Sequence, residues 1–462
     1  MSAIFRLLVP ADEAGPTDVP SIGVDGSRWV LKSLEQIPQS AESSGYICIS
    51  YAWGEGSADN PLHPRSALSR RTIPVLEAVV RSLKPSAVWL DGPCVPAQEP
   101  ERGICLRSMG AIYARADQTV AVLSPPCSPV LGQIRETSRI GDELLQTLAD
   151  DPWVTRAWTY QEIVNSRNIC FIAEGDDQPA IAGDKFLNVL GYALTQFKKN
   201  RNLDSFGLRA TREALDRLED ALADWMSFEP TNRFAYQSMA AMDRRVATQP
   251  LDEFNAMIGT LSTEPAVTPA DPTIHPAEYF MQVCEARNDY SFIYCISARR
   301  TEPGRRWRPI AGPMKTLLSW HTYGKGQPGF LTPSHLHLDN MWHAAQGAMR
   351  NSAEQFIANW LGSDTNENIA LTPENVLIRL RSAGLLTSGR HVELQDGYFF
   401  PERDDQEVSK YEVFVATGVR WPHGAPGLLV RAIPGAANEY EFRGVGVFVG
   451  PVPNDGEEIN IS

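Results

Sequence analysis

Between Gly45 and Ala173, short apolar runs alternate with stretches of helical period, a pattern that predicts an α/β unit built on a largely parallel sheet. Tyr46 to Tyr51 (YICISY) reads as a buried strand closed by Gly54 and Gly56. Ile73, Leu76, Val79, Val80 and Leu83 recur at helical spacing, with Pro74 tolerated in the first turn. Ala87 to Leu90 is a second strand, stopped by the turn signal Asp91-Gly92-Pro93, and Arg102 to Tyr113 is a second helix. Thr119 to Leu123 (TVAVL) is a third strand ending at Ser124-Pro125-Pro126, and Leu131 to Leu148 is again helical. Asp151-Pro152 restarts the chain into a helix over Trp153 to Asn165, and Asn168 to Ala173 (NICFIA) is a fourth strand. Four strands alternating with helices give a doubly wound layout.

The pattern changes beyond this point. Leu208, Leu215, Leu218, Leu222, Trp225 and Met226 mark an amphipathic helix, and Glu278 to Cys284 begins another. Leu261 to Pro276, rich in Pro and Thr, reads as an extended connector. Thr372-Pro373 is an N-cap and N1 pair for a helix ending near Gly384. From His391 on, β-rich runs (Tyr411 to Ala416, Gly427 to Ile433, Tyr440 to Val449) separated by Pro and Gly predict a small antiparallel sheet or barrel. The division expected is an α/β domain over 1–180, a mainly helical region over 181–385 and a β-rich domain over 386–462.

Length supports more than one core: 462 residues exceed what a single compact domain usually holds. The net charge of −14 repels a phosphate backbone and an anionic membrane, so neither nucleic acid nor membrane is an expected partner. Ile4 to Pro10 is too short, and too interrupted by Arg6, to be a spanning helix or a secretory core. Seven cysteines without a C-x-x-C pair suggest neither a disulfide framework nor a zinc ribbon, which fits a reducing cytoplasm.

An enzyme on an open α/β sheet places its site at the carboxyl ends of the strands. Three elements meet there: Ser50-Tyr51-Ala52-Trp53-Gly54 after the first strand, Asp91 after the second, and Arg156 to Glu162 (RAWTYQE). Gly54 permits close backbone approach, and Tyr51 and Trp53 can stack on a flat ring. A helix puts Trp158 and Glu162 on one face, where an indole can hold an aromatic cation and raise the pKa of the neighbouring carboxylate by excluding water. Asp91 can orient substrate, bind a ribose hydroxyl or cap its turn, and Trp158 can be core or ligand contact.

Three blocks carry a family resemblance: ISYAWG (Ile49 to Gly54), WLDGPC followed by MGAIYARA (Trp89 to Cys94, Met109 to Ala116), and RAWTYQE. In order and spacing they resemble the HET (heterokaryon incompatibility) family, itself similar to Toll/interleukin receptor (TIR) domains. VLSP (Val122 to Pro125) and the W-x-x-x-E of Trp158 and Glu162 extend the TIR likeness. The resemblance covers about the first 175 residues. It implies a TIR-like (flavodoxin-like), mostly parallel sheet flanked by helices. It further implies an NAD+ nucleosidase in which Glu162 is catalytic and Ser50, Tyr51, Trp53, Gly54, Asp91 and Trp158 contact substrate. The biological output implied is regulated cell death in self/non-self recognition, through an active homo-oligomer, with the C-terminal regions open to a protein partner. A non-enzymatic signalling module working by self-assembly is the competing reading.

No cofactor is expected, NAD+ being the substrate, and no metal site is assigned. His335, His337, Asp339 and His343 have the residue types of a metal site but no recognised spacing. Cys94 lacks a partner histidine, since His63 is the sole histidine in the first 250 residues. Gly444-Val445-Gly446 imitates a dinucleotide fingerprint inside a strand pattern with no helix behind it.

Overall fold

The computed structural model describes the chain apart from residues 1–4, 12–18, 39–44, 65, 204, 228–231, 244, 248, 250, 267–272, 363–368, 386–388 and 404–409. Two compact units emerge, one of Met1–Phe197, Arg212–Thr231 and Arg244–Thr273, the other of Lys198–Thr211, Asn232–Asp243 and Ile274–Ser462. The boundary expected at 180 falls inside the first unit and that at 385 inside the second. The middle of the expected connector, 267–272, lies outside the described residues.

The first unit contains β1 (Phe5–Pro10), β2 (Ser21–Val24), β3 (Ser27–Leu34), β4 (Ile47–Tyr51), β5 (Ser57–Asp59), β6 (Ala67–Ser69), β7 (Val88–Leu90), β8 (Gln118–Leu123), β9 (Ile169–Ala173) and β10 (Ile181–Ala182). Its helices up to Val164 are α1 (Thr72–Leu83), α2 (Asp91–Cys94), α3 (Glu101–Arg107), α4 (Met109–Arg115), α5 (Ser128–Thr137), α6 (Asp142–Ala149), α7 (Pro152–Thr155) and α8 (Ala157–Val164). Eight strands form one sheet in the order β10-β9-β8-β4-β7-β1-β3-β2, while β5 and β6 make a separate hairpin. The four predicted strands are the parallel centre, with Ile47 opposite Val88 on one side and Gln118 on the other, and Thr119 opposite Ile169.

The sheet as a whole is mixed, which corrects the expectation of a mostly parallel one. Three antiparallel strands are added beyond β7 and one beyond β9. The N-terminal addition rests on Asp25 and Gly26, both at positive φ (47° and 76°), which turn β2 into β3 as a two-residue hairpin. Counted among the parallel strands alone, the order is second-first-third-fourth, so the direction of strand addition reverses at β4.

Local chemistry divides three predicted helices. The second breaks at Ser108, whose hydroxyl donates back to Ile104 O (2.8 Å). The third breaks at Ser138, in the left-handed region at φ 52°. The fourth breaks at Arg156, extended at φ −74° and ψ 145° and clipped to Val246: Val246 N donates to Thr155 O (2.9 Å) and Ala157 N to Val246 O (3.0 Å). Asp91-Gly92-Pro93, expected as a turn, opens the single-turn helix α2.

In the second unit Thr372 caps helix Pro373–Ser382 as expected, its hydroxyl accepting from Asn375 N (3.2 Å). The β-rich region starts earlier than residue 386. Strands Leu336–Ala344, Glu412–Ala416, Gly424–Ala432, Glu439–Val449 and Glu457–Ile461 pair in a closed circuit. The closing pair, Glu439 and Tyr440 with Asn460 and Ile461, is parallel. Phe399, Val413, Val415, Leu429 and Phe448 are buried together against this sheet. Gly444 and Gly446 lie within the long strand, as their surroundings in the sequence suggested.

Candidate active site at the reversal of the strand order

The site is built where β4 ends between β7 and β8. Ser50 is the penultimate residue of β4, and its hydroxyl donates to the Glu162 carboxylate on α8. The same hydroxyl accepts from the Trp153 indole N–H at 2.7 Å. Ser50 and Trp153 are buried, and Glu162 is only 7% exposed. The Tyr113 hydroxyl also reaches the carboxylate, and lies 3.4 Å from Ile49 O.

Burial pushes Glu162 up to about 7, and the negative Asp91 adds to the rise. The Ser50 hydrogen bond, the Arg156 guanidinium and the Tyr113 hydroxyl oppose it. A carboxyl at that balance exchanges its proton around neutral pH, the range in which general acid–base or electrostatic roles are useful.

Asp91 stands at the end of β7. It accepts from the Trp53 indole (2.7 Å) and from Gly92 N (2.7 Å), and burial raises its pKa against both. Trp53 is 36% exposed, so its ring is open to solvent while its N–H is fixed. Tyr51 is buried, with its hydroxyl 2.9 Å from Thr72 Oγ1 and hydrogen-bonded to the Asp91 carboxylate as well, which favours the charged form of Asp91. Gly54 sits at φ 68°, and a Cβ there would lie 2.9 Å from Arg71 Cδ. Arg71 holds the loop by donating to Ala52 O (2.7 Å) and to Glu174 at the end of β9 (2.7 Å). Ser69 donates to Trp53 O.

Ser50 and Glu162 are thus brought into contact, and Trp53 is joined to Asp91. The indole that completes the Glu162 network is Trp153, whereas Trp158 is half-buried and hydrogen-bonds Asp252. Trp153, Tyr113 and Arg156 were not singled out from the sequence. Tyr113 and Arg156 lie inside the quoted motif blocks and Trp153 follows the helix-starting Asp151-Pro152, yet spacing alone did not show which way each would face. Cys94 is buried and its thiol is pushed up to about 12, a setting for packing rather than nucleophilic attack. His63 hydrogen-bonds Arg6 at 3.0 Å, and burial with that cation lowers its pKa.

The blocks also explain the packing beneath the site. Gly110 and Gly259 lie in close approach, since a Cβ on Gly110 would run into the carbonyl oxygens of Gly259 and Ser262, and one on Gly259 into the Gln161 amide. Asn165 donates to Gly259 O at 2.8 Å. Helix Asp252–Leu261 is thereby seated against α4 and α8.

The first unit is an α/β domain that carries a buried hydroxyl–carboxylate pair at the reversal of its parallel strands. Residues 46–140 match the family model described as Heterokaryon incompatibility protein (HET), so the chain carries a HET domain, as the motif blocks indicated. The matched stretch includes Ser50, Tyr51, Trp53, Gly54, Asp91 and Tyr113 and stops before Trp153, Arg156, Trp158 and Glu162. No curated protein and no solved structure matches the chain. Among the described residues, no helix is long and apolar enough to cross a membrane.

Proposed function

We propose that this HET domain acts as an NAD+ nucleosidase in a cell-death response of the heterokaryon-incompatibility type. The family match supports the cell-death role. The observation that carries the chemistry is the Ser50–Glu162 pair, buried beside Trp153 at the reversal of the strand order. A TIR-like relationship is part of the proposal, supported by the strand order of the parallel core and by the W-x-x-x-E spacing.

In this reading the C1′–N bond between ribose and nicotinamide breaks, and its electron pair leaves with nicotinamide. The cationic ribose is stabilised by the Glu162 carboxylate, and water then adds at C1′ with loss of a proton, giving ADP-ribose. Nicotinamide leaves readily from the cationic form, so no general acid is needed. Ser50 orients the carboxylate, while the exposed ring of Trp53, pinned by Asp91, is placed to stack on the base. The reading sets this reaction in the cytoplasm, with an active homo-oligomer and with the second unit open to a protein partner.

The decisive measurement is NAD+ loss by purified full-length protein, wild type against the near-isosteric Glu162→Gln. Consumption by the wild type that falls at least a hundredfold in the variant supports the reading. Equal consumption, or none in any assembly state, overturns it and leaves a module that works by assembly alone.

A further inference from the structure

The histidine cluster of the second unit gains from the fold what the sequence lacked. Strands Leu336–Ala344 and Glu457–Ile461 pair antiparallel with His337 opposite Asn460. Alternation along the strands puts His337 and Asp339 on one face, with Glu458 and Asn460 beside them. A register shift between Leu338 and Met341, where Asn340 turns to φ 58°, bends the strand at Asp339.

His337 Nε2 lies 3.1 Å from Asp339 Oδ1 and 3.6 Å from Glu458 Oε2. Its Nδ1 lies 3.0 Å from Asn460 Oδ1, and the ring stacks on Phe330 at a centroid distance of 4.4 Å. With an Nδ1–H given to the Asn460 oxygen, the Nε2 lone pair is free for an ion on the side of the two carboxylates. One ligand atom from each of His337, Asp339 and Glu458 lies within 4.8 Å of the other two, close enough for a single ion to meet all three.

We propose that His337, Asp339 and Glu458 form a site for a divalent transition metal of the zinc type. One imidazole and two carboxylates suit such an ion, and Asn460 supplies the outer hydrogen bond that metal-bound histidines characteristically make. The remaining coordination positions face solvent, since the Asp339 and Glu458 side chains are 39% and 73% exposed. The ion would tie together two strands of the closed circuit, giving the second unit a metal-dependent staple independent of the chemistry at Glu162.

The test uses the full chain, stripped with a chelator and titrated with Zn2+, and with Co2+ for its absorption spectrum. Expected are one ion per chain, a Co2+ spectrum showing nitrogen and oxygen ligands, and an upward shift of the melting transition with Zn2+. His337→Gln and Glu458→Gln should each weaken binding at least tenfold and remove the shift. His343→Gln should change neither, although His343 lies on the same strand, 3.4 Å from Glu412. Circular dichroism of the variants separates loss of the ion from loss of the fold. Absence of stoichiometric binding, or binding undiminished in folded His337→Gln, overturns the proposal and makes the cluster a closed histidine–carboxylate pair.

Discussion

The Ser50 hydroxyl donates to the Glu162 carboxylate across 112 residues of sequence while accepting from the Trp153 indole. This one oxygen therefore joins β4, α7 and α8, and it favours the charged form of a group that burial drives toward the neutral form.

Removing that hydrogen bond and removing the neighbouring charge should act in opposite directions. Ser50→Ala takes away a donor to the carboxylate and raises the pKa of Glu162 above about 7; Asp91→Asn takes away a repelling charge and lowers it. Carboxyl-carbon NMR titration of labelled glutamate reads both shifts. If NAD+ is consumed, kcat/KM rises with pH through the Glu162 pKa, and the midpoint moves up in Ser50→Ala and down in Asp91→Asn. Movement in the same direction contradicts the arrangement.

The raised pKa also has a consequence for stability. A carboxyl whose folded pKa is about 7, against 4.5 in the unfolded chain, favours the fold fully below pH 4.5 and loses that contribution as pH rises through 7. Each pKa unit is about 1.4 kcal/mol, so the loss is on the order of 3 kcal/mol. Glu162→Gln cannot ionise. Its denaturation midpoint, compared with wild type at pH 5 and pH 8.5, should show the wild type falling further at the higher pH.

Trp153→Phe keeps most of the buried ring, which packs edge-on against Phe171 with centroids 5.6 Å apart, but deletes the N–H given to Ser50. The expected cost is about 1–3 kcal/mol, read by urea unfolding. The pH shift at Glu162 should be smaller than that of Ser50→Ala, because the hydrogen bond to the carboxylate survives.

Gly110→Ala and Gly259→Ala should each destabilise the first unit by about 1–3 kcal/mol, because the added methyl meets a carbonyl oxygen or a confined amide. Gly132→Ala, which has open space around its Cβ, is the control and should be neutral or slightly stabilising. Thermal melts of the three variants decide the matter.

The parallel centre of the sheet was legible because YICISY, TVAVL and NICFIA are buried runs with clear stops. The N-terminal strands were not: Ser27–Leu34 alternates only weakly in burial, although Asp25-Gly26 is a strong hairpin signal that could have revealed the turn. Glu162 and Ser50 were each visible in a motif block, but their contact was not, because it joins residues 112 apart in the chain. The cluster around His337 shows the same limit. His337 and Asp339 are neighbours in sequence, whereas Glu458 arrives from a strand more than a hundred residues away.

That clip at Arg156 makes the ionisation of Glu162 a remote-controlled quantity. The backbone at Arg156, whose guanidinium favours the charged carboxylate, is held by a ladder whose other rail is Val246, and Arg245 beside it donates to Arg156 O at 3.2 Å. A displacement of that downstream rail that drew the guanidinium away would remove one of the groups favouring the carboxylate and shift Glu162 further toward its neutral form. If the proposed reaction needs the carboxylate, such a shift lowers the rate with every residue of the site left in place, by adjusting the voltage at a single oxygen.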